Sequence, residues 1–350
     1  MTTRRAARER IERLCGAGLT PKALREQVLA ELRPVLEYDA HVWLLTDPVT
    51  RVSTSPLADV PMMPWPQLPE LGRLRYLTHV LRWADLMDAG RTSGLLLEDT
   101  DGEPDRSLLW AEALSGFGVV DVASLAMWDR FGCWAWLDLW RCGDAPAYSR
   151  EDRELLEDLA VPLTRGIREA QARTFVDESA DLAMAGPAVV VLGPDLQVRS
   201  QTAWAGETLL RLNPPEQDIP TIPAAAYNVG AALVAEEQGM PVGAPWSRVH
   251  LGAGRWVTLR AARMGDVDDD IAVTIEPSTP GERREVFALA HALTPREREI
   301  LDHLATGADA PTIAAQLVLS LHTVHDHVKA ILAKTGTSHR QALLARIVGA

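Results

Sequence analysis

The part of this chain that most constrains its fold is the run from residue 291 to the end, "HALTPREREILDHLATGADAPTIAAQLVLSLHTVHDHVKAILAKTGTSHRQALLARIVGA". Thr294 stands before Pro295 and has Glu297 three residues on, which is a capping box with proline at the first helical position. Ile300, Leu301 and Leu304 follow at helical spacing, and Gly307 stops the helix. "PTIAAQLVL" reads as a short second helix with Ile313 and Leu317 turned inward. Ser320 caps a third helix, and "SHRQALLARIV" is a fourth. Two helices joined by a tight turn, the second with a polar outer face, form a helix-turn-helix pattern.

The third helix carries His322, His325, Asp326 and His327 within six positions. At about 100° per residue, Val324, Val328, Ile331 and Thr335 share one stripe, the buried one. His322, His325, Asp326, Lys329 and Ala333 lie on the far side, and His327 sits at the edge of the buried stripe. His325 and His327 fall roughly 160° apart, so they cannot share an ion from one helix. His322, His325 and Asp326 can converge, which keeps a metal-responsive alternative open. The stretch offers no fourth ligand and no residue to orient the imidazoles, and no metal is expected. The expected role of the outer face is contact with DNA.

Taken together, "LTPREREIL", "TIAAQLVLSLHTVHDHVKAIL" and "HRQAL" resemble the LuxR-type (GerE) helix-turn-helix. The family usually reads "LTxREREVL … IAxxLxxSxxTVKxHVxxIxxKLxxxxR". The resemblance implies an all-α, four-helix DNA-binding domain over 291–350 whose third helix enters the major groove of double-stranded DNA. It places His325, Asp326 and Lys329 at base- and phosphate-contacting positions, with His322 on the same face and Ser320, Thr323 and Arg340 near the backbone. Three positions depart from the family. His325 replaces a lysine, Thr335 a leucine and Thr337 a valine. A neutral imidazole still donates one hydrogen bond and accepts one, and Lys329 keeps a cation. Asp326 can accept from cytosine N4 but opposes phosphate. Weak, salt-sensitive binding per monomer is expected, and hence a homodimer on two half-sites. A second alternative is a protein-interaction regulator whose DNA contact these departures have weakened.

The net charge of -13 argues against nucleic acid until it is divided along the chain. From residue 281 onward there are eight Lys and Arg against seven Asp and Glu, a balance of +1, leaving -14 on residues 1–280. Six of the nine histidines also lie beyond 280. If DNA is bound, the C-terminal part is expected to bind it, because the bulk of the chain would repel phosphates.

Upstream the pattern is α+β. Residues 1–36 read as two helices, the second with Thr20 as N-cap and Pro21 at its first position. "AHVWLL" and "RVSTS" are strands around the turn "DPVT". "PMMPWPQLP" is a loop, and one long helix is expected through "RLRYLTHVLRWADLM". "VVDVASLAMW" and "GCWAWLDLW" form a hairpin about "DRFG". A long helix from Ser149, with a capping box to Asp152 and a kink at Pro162, closes a module over 1–176. A second module over 183–277 runs strand, strand, helices, three strands. Residues 278–290, opening with "PSTPGE", are a linker and helix. "YDAHVWLLTDPVTRVSTS" and "CWAWLDLWR" resemble actinobacterial LuxR-type regulators with GAF-like N-terminal regions. "AVVVLGPDLQVRS", "GRWVTLRAARM" and "IAVTIEP" resemble their PAS-like segment. The resemblance implies a GAF-like sensor and dimerisation module at 1–176, a PAS-like module at 183–277, and an unknown small-molecule or protein effector.

Eight of the eleven tryptophans lie between Trp43 and Trp140. Strand alternation puts Trp134, Trp136, Asp138 and Trp140 on one face of "CWAWLDLW" and Cys133, Ala135, Leu137 and Leu139 on the other. Trp43, Trp134 and Trp136 are therefore candidate pocket-lining residues, with core or dimer interface as the alternative role. Cys133 and Cys142 are read as inert thiols rather than haem or redox ligands, His79 as a surface histidine, and "DVDDD" as a solvated turn. No cofactor is expected. There is no phosphate-binding G-x-x-x-x-G-K-[ST] loop, no phospho-receiver pattern, no nucleophile elbow and no H-E-x-x-H, so the chain is not expected to be an enzyme. Three scattered cysteines, the absence of a secretory start and the lack of any long apolar run point to a cytoplasmic protein with no membrane contact.

Overall fold

The computed structural model describes residues 3–175, 186–212, 223–266 and 269–348. The chain begins with α1 (Arg4–Cys15) and α2 (Pro21–Leu36), the second opened by the Thr20 hydroxyl accepting from the Ala23 amide at 3.2 Å. Then come β1 (Ala40–Thr46), β2 (Ser53–Asp59), α3 (Leu68–Leu77), α4 (Trp83–Asp88), β3 (Ser93–Leu95), α5 (Leu96–Asp99) and α6 (Leu108–Glu112). The hairpin β4 (Val119–Asp129) and β5 (Gly132–Cys142) follows, and α7 (Arg150–Arg173) closes the unit. The five strands form one antiparallel sheet in the order β2-β1-β5-β4-β3. The apolar stripes of α2 and α7, including Leu24, Val28, Leu32, Leu156, Leu159, Leu163 and Ile167, are buried against one face of this sheet.

The next elements are β6 (Ala188–Leu192), β7 (Val198–Gln201), α8 (Ala203–Leu212), α9 (Ala224–Glu237), β8 (Trp246–Gly252), β9 (Arg255–Arg263) and β10 (Ile271–Pro277). They build a second antiparallel sheet, β7-β6-β10-β9-β8. Both sheets have the same plan: second, first, fifth, fourth, third strand, with a helical excursion between the second and third. The remainder is helical: α10 (Pro280–Ala290), α11 (Pro295–Ala305), α12 (Ala310–Leu317), α13 (Leu321–Thr335) and α14 (Arg340–Val348). The molecule is thus mixed α and β, with two antiparallel sheets and a C-terminal helical domain.

Several expectations are corrected. The helix read through "RLRYLTHVLRWADLM" is two helices. The chain turns at 78–82, where Leu81 takes φ 57°, because the fully buried Arg82 guanidinium pairs with Asp85 at 2.5 Å and donates to the Tyr76 carbonyl at 3.3 Å. β3, α5 and α6 went unread, being too short for a period to show. β2 runs past "RVSTS" to Asp59 through Pro56, which an edge strand tolerates. The long helix read from Ser149 does form, with Pro162 inside it and the flanking Leu159 and Leu163 fully buried.

Strand alternation also fails at Trp134. Met127 pairs with Ala135 and Trp128 with Cys133, so Trp134 is the extra residue of a β-bulge. The bulge turns its indole to the helix-covered face, with Ala135, Leu137 and Leu139, and leaves Cys133 in the cluster of Trp136. The Trp134 indole N–H donates to Asp129 at 3.1 Å.

α10 is a packed element. Phe287 meets Phe175 edge-on at 5.3 Å, and Phe175 stacks on Trp256 of β9 at 4.9 Å. One aromatic cluster therefore joins the end of α7, the second sheet and α10. A buried ion pair ties the same parts together. Arg248 of β8 donates to both carboxylate oxygens of Asp47, at 2.7 and 2.9 Å, and to Glu285 of α10 at 2.6 Å. Arg248 and Asp47 are fully buried.

Candidate nucleic-acid interface and ligand cavity

The C-terminal domain is assembled from local caps and one long-range bridge. Thr294 and Glu297 make the reciprocal capping box of α11. Asp309 caps α12 through the Thr312 amide at 2.9 Å, and Ser320 caps α13 through the Thr323 amide at 3.0 Å. Between α12 and α13 the chain turns at Val318, which has φ 54° and is 90% exposed. Lys334, near the end of α13, donates to both Glu297 oxygens at 2.6 and 2.8 Å and so pins α13 across the start of α11. Burial acts to raise the Glu297 carboxyl, but the Lys334 and Thr294 hydrogen bonds outweigh it and hold the group below the ordinary glutamate range.

Val324, Ile331 and Thr335 of α13 are buried and Val328 is partly buried, whereas His322, His325, Asp326 and Lys329 are all exposed. His327 lies between the two faces, partly buried. His322 reaches Asp326 at 3.4 Å. Among the described residues no group of three or more His, Cys, Asp or Glu side chains is close enough to hold a metal ion, so His325 does not complete a set with this pair. The Ser320 and Thr323 hydroxyls lie 2.8 Å apart and belong to the helix cap. Arg340, partly buried at the start of α14, donates to the Leu304 carbonyl at 3.2 Å and caps the end of α11. The structure therefore gathers His322, His325, Asp326 and Lys329 on one open face, Ser320 and Thr323 at its N-terminal end, and sets Arg340 against α11. An exposed polar helix held behind a short turn by a three-helix support is the form of a major-groove reader.

A cavity of about 620 Å³ opens on the other face of the first sheet and extends along the β2 edge toward β8 and β9. Trp136 lines it, but Trp43 and Trp134 do not. Both of those indoles are buried on the helix-covered face, Trp134 because of the bulge. Trp65 and Trp140 line the cavity instead, together with Val42, Leu44, Val60, Met63, Leu71 and Leu109. Trp83 stacks on Trp136 at 5.0 Å. The Arg75 guanidinium lies 4.8 Å from the Trp136 ring and pairs with Asp138 at 3.0 Å. Asp138 also accepts from the Ser124 hydroxyl at 2.5 Å. Burial pushes the Asp138 carboxyl up against the pull of Arg75 and Ser124. Sequence reading missed Arg75, since an arginine on a helix reads as solvated.

Cys133 is fully buried and its thiol is pushed up to about 11, chiefly by burial; Cys142 is also raised by burial. Neither has the electropositive setting of a reactive thiolate. His79 is exposed. Residues 267 and 268 of "DVDDD" lie outside the described residues. No described helix is long and apolar enough to cross a membrane.

The C-terminal fold and its exposed helix define a helix-turn-helix domain. Residues 291–347 match the model of the family GerE, "Bacterial regulatory proteins, luxR family", so this domain is of the LuxR type. Two curated proteins titled "Probable transcriptional regulatory protein NarL", from Mycobacterium tuberculosis strains CDC 1551 / Oshkosh and ATCC 25618 / H37Rv, are 38% identical to the chain over 78 residues. That stretch is 22% of this chain and 36% of each relative, so the chain spans about a third of the length of the relatives it matches. Two solved structures align over most of the chain with little geometric agreement. "Crystal structure of Escherichia coli SdiA in the space group P6522" is 15% identical with TM-score 0.29, covering 95% of this chain and 92% of that one. "SdiA in complex with octanoyl-rac-glycerol" is 14% identical with TM-score 0.31, covering 99% and 93%. At such scores neither likeness fixes the fold or the ligand of this chain.

Proposed function

We propose that this protein is a cytoplasmic, non-enzymatic transcription regulator that binds double-stranded DNA as a homodimer through α13. The observation that carries the reading is the exposed face of α13, with His322, His325, Asp326 and Lys329 together on a LuxR-type domain. In this reading His325 and Asp326 meet base edges, Lys329 meets phosphate or guanine, and Ser320, Thr323 and Arg340 lie near the backbone. The near-balanced charge beyond residue 280 supports it, because residues 1–280 taken together carry -14 and would repel phosphates. Residues 1–176 and 183–277 are read as a GAF-like sensor and dimerisation module and a PAS-like module, 278–290 as the connecting segment, and 291–350 as the DNA-binding domain. The shared sheet plan supports the two sensor assignments. A small-molecule or protein effector at these modules would shift the population of DNA-competent dimers.

The test is selection of binding sites from a random duplex library with full-length protein, followed by gel-shift titration. A two-half-site sequence should emerge. His325→Ala with Lys329→Ala should weaken binding to it by tenfold or more, since each good base contact is worth about 1–3 kcal/mol. Selection of no sequence, or unchanged affinity in the double variant, would remove α13 from this role.

A further inference from the structure

The cavity beside the first sheet is mostly apolar, yet four of its lining side chains carry buried nitrogens without hydrogen-bond partners among the described residues: Arg75 and Trp140 beside the first sheet, and His250 and Trp256 at the end toward the second sheet. Trp140 is 2% exposed and its indole Nε1 has no acceptor. Arg75 is 6% exposed; its Nη2 donates to the Leu81 carbonyl and Asp138, but its Nη1 has no acceptor. The neighbouring indoles differ: Trp136 donates to Ser53 at 2.8 Å and Trp83 to the Arg51 carbonyl at 3.1 Å. Trp140 and Asp138 sit two residues apart on one strand face, so Trp140 and the Arg75–Asp138 pair are neighbours along the wall. Buried N–H groups left unmade are costly, and an acceptor brought in by a ligand removes that cost.

The charge of that acceptor can also be reasoned. Arg75 is already neutralised by Asp138 at 3.0 Å. A carboxylate would add an uncompensated buried charge beside Asp138, whereas a carbonyl oxygen needs only N–H donors. We propose that this cavity binds a neutral, mostly apolar or aromatic molecule bearing a carbonyl-type oxygen, which accepts from Trp140 Nε1 and Arg75 Nη1. The aliphatic side chains of Val42, Leu71 and Leu109 pack the body of the ligand. This rests on the reading of the first module as a small-molecule sensor, and it names the chemistry of that sensor.

Three shape-matched probes test it by calorimetric titration into the full-length protein: β-acetylnaphthalene, β-ethylnaphthalene and β-naphthoate. The ketone should bind roughly five- to tenfold tighter than the hydrocarbon, the factor one hydrogen bond supplies, with the carboxylate weakest. Trp140→Phe, which removes only the N–H and part of the ring, should narrow the gap between the ketone and the hydrocarbon, Arg75 Nη1 remaining as the second donor. Arg75→Met with Asp138→Leu, which removes the pair without leaving a lone charge, should erode the same preference. Trp256→Phe removes the unpartnered indole N–H at the far end of the cavity and should leave the preference intact; loss of the preference in this variant instead of in Trp140→Phe would overturn the assignment to Trp140 and Arg75. The proposal is overturned by no binding of any probe, by equal affinity for ketone and hydrocarbon, by tightest binding of naphthoate, or by an unaltered preference in Trp140→Phe. The titration contains no DNA, so it can fail while the α13 experiment succeeds. Selective ketone binding that leaves DNA affinity unchanged would uphold the site and overturn its regulatory role.

Discussion

At the scale of single residues, the proposed role of the exposed face of α13 makes DNA affinity a matter of countable charges. Each phosphate contact contributes a slope of about -0.9 to the dependence of log affinity on log salt. Lys329→Ala should make that slope shallower by about one contact, measured by titration at several salt concentrations on the selected site. His325→Lys, which restores the cation usual in LuxR-type domains, should tighten binding and steepen the slope by a similar amount. Glu297 is the second sensitive residue. Its carboxyl is lowered by Lys334 and Thr294, so its contribution is fully present above the ordinary glutamate range and is lost as pH falls through the lowered value. Glu297→Gln should cost about 1–2 kcal/mol at neutral pH, seen as faster hydrogen exchange in α11 and α13. The difference from wild type should shrink on acidification.

At the scale of elements, capped helices were legible and everything set by side-chain competition was not. The capping boxes at Ser149 and Thr294 and the caps at Thr20 and Ser320 all form as read, because each is a hydrogen bond between residues three apart. The buried stripe of α13 was readable for the same local reason, a fixed helical period. The hairpin β4–β5 was readable from its turn, but its faces were not. A bulge at Trp134 shifts the parity of everything before it, and no composition rule marks the extra residue. The turn that sets this register is tight. Gly132 has φ 140°, and a Cβ there would lie 2.4 Å from the Pro48 carbonyl oxygen. Gly132→Ala should therefore destabilise the first module by about 2–3 kcal/mol, measurable as a lower Tm. The break between α3 and α4 was hidden because the periodicity of "RLRYLTHVLRWADLM" is satisfied whether or not the chain turns at Leu81. The burial of Arg82 decides it.

At the scale of the whole molecule, the modules are joined through the pair of Asp47 and Arg248 with Glu285, and through the aromatic cluster around Phe175. Asp47→Ala would leave the buried Arg248 guanidinium with Glu285 as its one remaining carboxylate partner, beside the Glu282 carbonyl, and should cost about 3–5 kcal/mol in calorimetric unfolding. Asp47→Leu with Arg248→Met should recover most of that loss, because the desolvation of both charges is relieved together. Acid should loosen the molecule as a whole. Burial holds His41, His250 and His291 at about 4 rather than 6.5. Between those values the unfolded chain binds more protons than the folded one, so stability falls as pH drops from 6.5 toward 4 and levels off below. Denaturant midpoints across this window would show the slope, and replacing His250 and His291 with asparagine should reduce it.

The sequence by itself determined the C-terminal helices, their caps, the outward face of α13 and the charge contrast between the C-terminal part and the bulk of the chain. These follow from helical period, from hydrogen bonds spanning three residues, and from simple position along the chain. Only the tertiary structure decided which indoles line the cavity and that Arg75 faces it. It also decided that Asp47, in a turn, holds a buried arginine 201 residues away. Such contacts depend on which distant surface removes water from a side chain, and that is a property of the packed molecule, not of any local stretch.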